Sequence, residues 1–360
     1  MLRPGAAPLF SDSPNARSKT ITTASGPYTH GILNQHPATP FGYSIGVAED
    51  TGSRRTMEDA HSFVADFAGV RGQGYFAVFD GHAGKHAAEW CGEHFHEELI
   101  QSLASSKSRT TSVPDVLNRT FHAVDARLSK LAEDGQTHSG CTAVTAFLRL
   151  EDDEGNQPPE YVETALDTSS TATSHTVTAA DVPSSSASVT TSSTSTKHGV
   201  AAFKGATRRV LYTANAGDAR AVLGRGGRAV RLTYDHKGSD AQEAKRIKEA
   251  GGFVMNNRVN GVLAVTRSLG DSAMKEFVVG SPYTTETLLG DEDDVLIIAC
   301  DGLWDVIEDQ AAIDLIRPII TSGSPTSAQE AASKLVRYAL DHFSSDNISV
   351  LVVKLEGGWR

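Results

Sequence analysis

Two short apolar runs in this chain stop abruptly at Asp-Gly. Tyr75–Phe79 runs into Asp80-Gly81-His82, and Val295–Cys300 runs into Asp301-Gly302. Both runs are apolar at every position rather than at alternate ones, so each reads as a strand buried on both faces. Further strand-like runs cover Thr142–Leu150 and Val210–Ala214. A hairpin is expected from Ala219–Leu223 and Arg228–Leu232, joined by Gly224-Arg225-Gly226-Gly227. Helical spacing lies between the strands. Ala87, Cys91, Phe95 and Leu99 repeat every four residues after Gly84, and Leu117, Phe121, Val124, Leu128 and Leu131 follow one helix face after Pro114. Ser239 and Gln242 form a candidate capping box for a helix through Ile247 that stops at Gly251-Gly252. Two more helices are expected near Gln310–Ile320 and Ser327–His342. Strands joined by hairpins, with helices in separate blocks, predict an α+β fold in which helices cover antiparallel sheets.

The polar stretches set the domain organisation. Residues 1–40 are rich in Ser, Thr, Pro and Gly without periodicity, and read as a disordered N-terminal tail. Residues 151–207 begin with Glu151-Asp152-Asp153-Glu154 and continue as a Ser/Thr tract from Thr168 to Lys197. Their few apolar side chains do not offset the entropy of ordering them. Strand-like runs flank this segment, so it is expected to be a disordered loop inserted into a sheet, within one folded domain spanning 41–360.

Composition narrows the function classes. With 39% hydrophobic residues in a chain of 360, a sizeable core is available. No apolar stretch approaches the roughly 18 residues of a membrane span. A net charge of −11 argues against general nucleic-acid binding. Cys91, Cys141 and Cys300 form neither a disulfide framework nor a zinc spacing, so they are expected in the core of a protein from a reducing compartment, the cytoplasm, the nucleus or both. Arg3, Arg17 and Lys19 against Asp12 leave a mitochondrial presequence as the lesser alternative to a plain tail.

The chemistry is in the carboxylates. A carboxylate at the exit of a buried strand is held on a rigid element, and the glycine after it lets backbone or an ion come close. Asp80 and Asp301 have this placement, and Glu58-Asp59 and Asp346-Asn347 are candidates for the same site. Taken singly, an Asp after a strand reads equally well as a turn former. If the set converges, several negative charges meet at low dielectric and must be protonated or neutralised by cations. Oxygen donors without Cys or paired His favour Mg2+ or Mn2+. Two such ions about 4 Å apart can turn a shared water into a nucleophile, so no nucleophilic side chain is needed. Asp218, in Asn215-Ala216-Gly217-Asp218, and Asp305, after Trp304, offer two further carboxylates. Arg54 and Arg55 suit a dianionic phosphate, the alternative being a surface pair. His82 is a candidate to protonate a leaving oxygen. His82 and His86 have the i, i+4 spacing of a zinc pair but no third soft ligand, and Gly81–Lys85 lacks the spacing of a phosphate loop.

Taken together, the motifs resemble the type 2C family of metal-dependent serine/threonine protein phosphatases. The stretches that carry the resemblance are Arg54–His61, Phe76–Gly84, Ser139–Ala143, Ala214–Arg220, Leu232–Lys237, Leu263–Asp271, Ala299–Asp305 and Ser345–Val350, in the family's order. The resemblance implies a four-layer α/β/β/α sandwich of two antiparallel sheets, with a metal cleft at one end. It implies that Asp80 and the Gly81 carbonyl, with Asp301 and Asp346, bind two Mg2+ or Mn2+ ions. Glu58 and Asp59 would act through metal-bound water. Arg54 would hold the substrate phosphate, and His82 would be the general acid. Asp218 and Asp305, with Asp301, would match a weaker third ion, and Thr142 and His61 would support the ligands. Details resemble small fungal members that oppose stress-activated MAP kinase signalling, which implies phosphorylated proteins, among them MAP kinases or their activators, as partners of a monomer. Two departures stand out: the length of the 151–207 insertion, and Gly238 where many relatives have proline. The alternatives are a catalytically silent phosphoprotein-binding scaffold and a hydrolase of small phosphate esters.

Overall fold

The computed structural model describes residues 19–23, 26–30, 42–70, 72–106, 111–135, 138–157 and 208–356. Of the expected 1–40 tail, two short strands, Lys19–Thr23 and Gly26–His30, are described and pair antiparallel. The rest of the tail, and residues 158–207 of the insertion, lie outside the described residues.

Ten strands build two five-stranded sheets. They are β1 (Tyr43–Asp50), β2 (Ala60–Ala65), β3 (Gly74–Phe79), β4 (Ala143–Glu151), β5 (Arg208–Ala216), β6 (Arg220–Arg225), β7 (Arg228–Arg231), β8 (Tyr283–Leu288), β9 (Asp293–Ala299) and β10 (Ile348–Leu355). One sheet has the order β8-β5-β4-β3-β2 and the other β7-β6-β9-β10-β1. Every neighbouring pair in both is antiparallel.

The uniformly apolar runs are explained by what lies on each face. In β3, Phe76 and Val78 point between the sheets, where they meet Leu296, Ile298, Leu351 and Val353. Tyr75, Ala77 and Phe79 point the other way, into a core formed with α1 (His86–Ser105) and α2 (Val113–Glu133). The second sheet repeats this arrangement. Ile297, Ala299, Val350 and Val352 face α5 (Asp309–Ile320) and α6 (Ser327–Asp341). The result is the expected α/β/β/α sandwich, and it buries antiparallel strands on both faces.

The helices follow their apolar spacing. Ala87, Cys91, Phe95 and Leu99 are fully buried along α1. Helix α2 starts where Ser112 accepts the Asp115 backbone N–H, with Pro114 in the first turn, where its missing donor costs nothing. All three cysteines are buried.

Two local expectations need correction. The helix after the hairpin, α3 (Ala241–Glu249), is capped by Asp240 rather than Ser239, because the Asp240 carboxylate accepts the N–H groups of both Gln242 and Glu243. The hairpin turn is also tighter than the sequence suggested. Arg225 pairs with Arg228, and only Gly226 and Gly227 turn, both at positive φ (57° and 80°), which a two-residue hairpin loop requires. The insertion closes a hairpin as expected: Glu151, at the end of β4, is the register partner of Arg208, at the start of β5.

Candidate metal centre and active-site cleft

Four aspartates sit at strand ends on one edge of the sandwich. Asp80 directly follows β3, and Asp218 lies just past β5, both in the first sheet. Asp301 opens the short helix α4 (Asp301–Trp304) after β9, and Asp346 precedes β10, both in the second. Packing the two sheets face to face therefore brings acids from distant parts of the chain together. Carboxylate oxygens of Asp80, Asp218 and Asp301 lie within 4.8 Å of one another. These three line a cleft of about 440 Å³ together with Asp346, Arg54, Arg55, Glu58, Gly81, His82, Thr142, Arg258 and Asn347.

The glycines after the two strand exits allow this close approach. A Cβ on Gly81 would stand 2.2 Å from the Glu58 carbonyl oxygen, and one on Gly302 would stand 2.0 Å from that of Asn347. Gly81-His82 continues into a three-stranded ribbon with Gly140-Cys141 and Leu269-Gly270. The residue that follows Leu269-Gly270, Asp271, at a positive φ of 48°, lies against His82, with Nε2 and Oδ2 2.7 Å apart. Asp271 also accepts the Ser268 hydroxyl. This support for His82 was missed in the sequence, although Asp271 ends the quoted Leu263–Asp271 motif. Asn347 was named with Asp346 as a candidate for the site, but its positioning role was not. Its Oδ1 accepts the Glu58 N–H at 2.7 Å, and its Nδ2 donates to the carbonyls of Thr51 (2.9 Å) and Thr56 (3.1 Å), pinning the Arg54–Glu58 loop to the start of β10.

The remaining predicted residues separate by position. Arg54 stands at the cleft mouth, 58% exposed, with Nη2 2.7 Å from Asp346 Oδ2. Glu58 Oε2 accepts the Gly84 N–H at 3.2 Å. Asp59 does not line the cleft; it is buried behind the wall. Beside it in the interior, His61 is bonded to the Glu49 carboxylate. Asp305 is also absent from the lining. It is the exposed residue ending α4, 2.9 Å from the ammonium of Lys237, which in turn lies 3.7 Å from Asp218. Burial opposes the charge on Lys237, but Asp218 and Asp305 outweigh it and hold its pKa up.

The electrostatics favour added cations. Burial raises the pKa of Asp80 well above the ordinary carboxylate value, and the neighbouring Asp301 and Asp59 raise it further. Asp301, Asp59 and Asp218 are raised too, with burial again the largest cause. Asp59 Oδ2, Asp218 Oδ1 and Thr142 Oγ1 are buried without a hydrogen-bond partner. Orphaned oxygens around a cluster of carboxylates, with no sulfur or imidazole among the three converging groups, fit hard divalent ions.

Comparison with known proteins points the same way. The sequence profile described as Protein phosphatase 2C matches residues 43–152 and 148–348. The chain is 43% identical over 331 residues to Protein phosphatase 2C homolog 1 of Saccharomyces cerevisiae, covering 91% of this chain and 99% of that protein. It is 39% identical over 330 residues to Protein phosphatase 2C homolog 1 of Schizosaccharomyces pombe, covering 90% and 76%. Among solved structures, a C. elegans sex determining protein matches with a TM-score of 0.66 over 88% of this chain and 65% of that one. At 22% identity, this likeness speaks for the fold alone. A sandwich that gathers acidic strand exits into one cleft, and a family match running through nearly all of it, establish that this chain belongs to the protein phosphatase 2C family of metal-dependent serine/threonine phosphatases.

Proposed function

We propose that this cleft hydrolyses phosphoserine and phosphothreonine on proteins with two Mg2+ or Mn2+ ions and a weaker third. Asp80, the Gly81 carbonyl, Asp301 and Asp346 would hold the pair, Glu58 and Asp59 would act through water, and Asp218 and Asp305 would serve the third ion. The observation that carries this reading is the convergence of Asp80, Asp218 and Asp301 within 4.8 Å, from strand ends of both sheets. When bound, such ions supply a water of lowered pKa and neutralise charge on the phosphoryl oxygens.

The side chains do the rest. Arg54 gives one Nη2 hydrogen to Asp346, so the rest of its five N–H donors remain for the oxygens of a phosphate dianion arriving at the mouth. That grip orients the ester and counters its charge as the transition state develops. His82 in its imidazolium form donates from Nε2 to Asp271 and holds on Nδ1 the proton that the departing serine or threonine alkoxide needs. Asp271 thus fixes the orientation of the ring. Asn347 keeps Arg54 and Glu58 in register with Asp346.

The substrates we infer are phosphorylated proteins, among them stress MAP kinases or their activators. This part of the reading is supported by the motif resemblance to fungal members of that role, and by 43% and 39% identity to fungal relatives. A monomer acting in the cytoplasm, the nucleus or both is consistent with the buried cysteines and the acidic charge. The test of the chemistry is phosphopeptide hydrolysis with Mn2+, with and without chelator, for wild type and Asp80→Ala. Activity should require both metal and Asp80, and equal rates in all four cases would sink the reading. The test of the substrate class is phosphoproteomics after loss of the protein, in which activating phosphothreonines of stress MAP kinases should accumulate.

A further inference from the structure

Lys237 was part of a motif in the sequence but carried no role there. Its backbone is clamped on both sides. The His236 N–H donates to the Gly217 carbonyl at 2.9 Å, the Thr266 N–H donates to the His236 carbonyl at 3.0 Å, and Lys237 itself bridges to Val265. Before it, Asp235 is held by the Arg220 guanidinium, which lies over the Trp304 ring at 5.1 Å. The side chain leaves this fixed base and places its ammonium 2.9 Å from Asp305 and 3.7 Å from Asp218. Asp218 is 5% exposed, and its Oδ1 is buried without a hydrogen-bond partner while it shares the cluster with Asp80 and Asp301.

We propose that Lys237 is a tethered counter-ion at the outer edge of the metal centre, competing with a divalent ion for the Asp218–Asp305 pair. The inference rests on the metal-centre reading above. An ion ligated by both carboxylates needs oxygens at about 2.0–2.2 Å, and an ammonium hydrogen-bonded to Asp305 stands in that space. The tethered cation is always present at high local concentration, so an incoming ion must displace it. Displacement is sterically open, because the Lys237 side chain is 34% exposed and can turn to solvent. The consequence is an outer ion held weakly and exchangeably.

The experiment is Mn2+ titration by calorimetry, with electron paramagnetic resonance counting bound ions, on the full chain. Wild type should bind two ions tightly and an outer one weakly. Lys237→Met keeps the stem and removes the charge, so the outer ion should bind at least tenfold tighter while the inner two change by less than about twofold. Lys237→Arg should behave like wild type, and Lys237→Met with Asp305→Asn should lose the gain. In chelator, Lys237→Met should lower the melting temperature, and adding Asp218→Asn should recover it, because the uncompensated buried carboxylate is then gone. An outer affinity that is unchanged, or a gain spread equally over all sites, overturns the proposal while leaving the metal centre intact. Failure of wild type to bind Mn2+ at all overturns both.

Discussion

Replacing Asp80 with Asn should make the metal-free protein more stable and remove its stabilisation by metal. The oxygens of Asp80, Asp218 and Asp301 lie within 4.8 Å of one another. At an effective dielectric of about 20, each fully ionised pair at that distance repels by about 3.5 kcal/mol. Burial raises the pKa values of Asp80 and Asp301 well above normal, and proton uptake by the cluster therefore relieves part of this repulsion. The residual gain from an uncharged isostere is then about 1–3 kcal/mol at pH 8. A domain of this size gains about 2 °C in melting temperature per kcal/mol, so the rise should be about 2–6 °C in chelator. The sign with pH follows from the raised values. These carboxylates destabilise the metal-free fold increasingly as pH climbs from the ordinary carboxylate value through their own, so the gain should shrink at pH 5, where the folded protein keeps the protons. With Mn2+ at about one hundred times its dissociation constant, wild type should gain about 2.7 kcal/mol per site, and the variant should gain far less. The assay is thermal melting of both proteins in chelator and in Mn2+, and the order of stability should reverse between the two conditions. If Asp80→Asn melts below wild type in chelator, or shows the same rise with Mn2+, the carboxylates are not a preformed cation site.

Other consequences are independent of this one. Arg54→Ala should lower kcat/KM toward a phosphopeptide at least tenfold while changing stability by less than about 1 kcal/mol, because its pair with Asp346 is exposed; a large stability loss would mean the arginine is structural. Glu243 is a buried carboxylate whose charge burial opposes, but bonds from Arg267, Arg246 and Thr266 win and hold its pKa at about 2. Glu243→Gln should therefore cost about 3 kcal/mol in urea denaturation at pH 7. Because the folded value is depressed from 4.5, that contribution is complete above the ordinary value and disappears as pH falls toward 2; a deficit that persists at pH 2 would contradict the ion-pair explanation. Replacing residues 158–207 with a short Gly/Ser turn should leave the fold intact and stabilise it by at most about 2 kcal/mol, since Glu151 and Arg208 already pair and loop closure depends only weakly on length. A lower melting temperature would show that the insertion contributes contacts to the domain.

The amino-acid order by itself determined the elements and their chemistry. Runs such as Tyr75–Phe79 and Val295–Cys300 carry their burial in their own composition, and helical spacing in Ala87, Cys91, Phe95 and Leu99 is a local property. The Asp-Gly exits, the oxygen-only donor set and the motif order were all legible before any coordinates. Boundaries were less so, because capping by Asp240 and the two-glycine turn depend on single hydrogen bonds and dihedral angles that neighbouring residues satisfy almost equally well. Only the tertiary structure decided which carboxylates meet. Asp80 and Asp301 share a cleft because the sheets that carry them pack through Phe76, Val78, Leu296 and Ile298. Asp59, beside Glu58 in sequence, is turned behind the wall, and Asp305, one turn beyond Asp301, faces solvent and Lys237. Likewise Asp271 reaches His82 only because the ribbon holds Leu269-Gly270 against Gly140-Cys141. Periodicity and composition act over a few bonds, whereas the spacing of charges across the cleft is set by core packing and strand register between segments hundreds of residues apart.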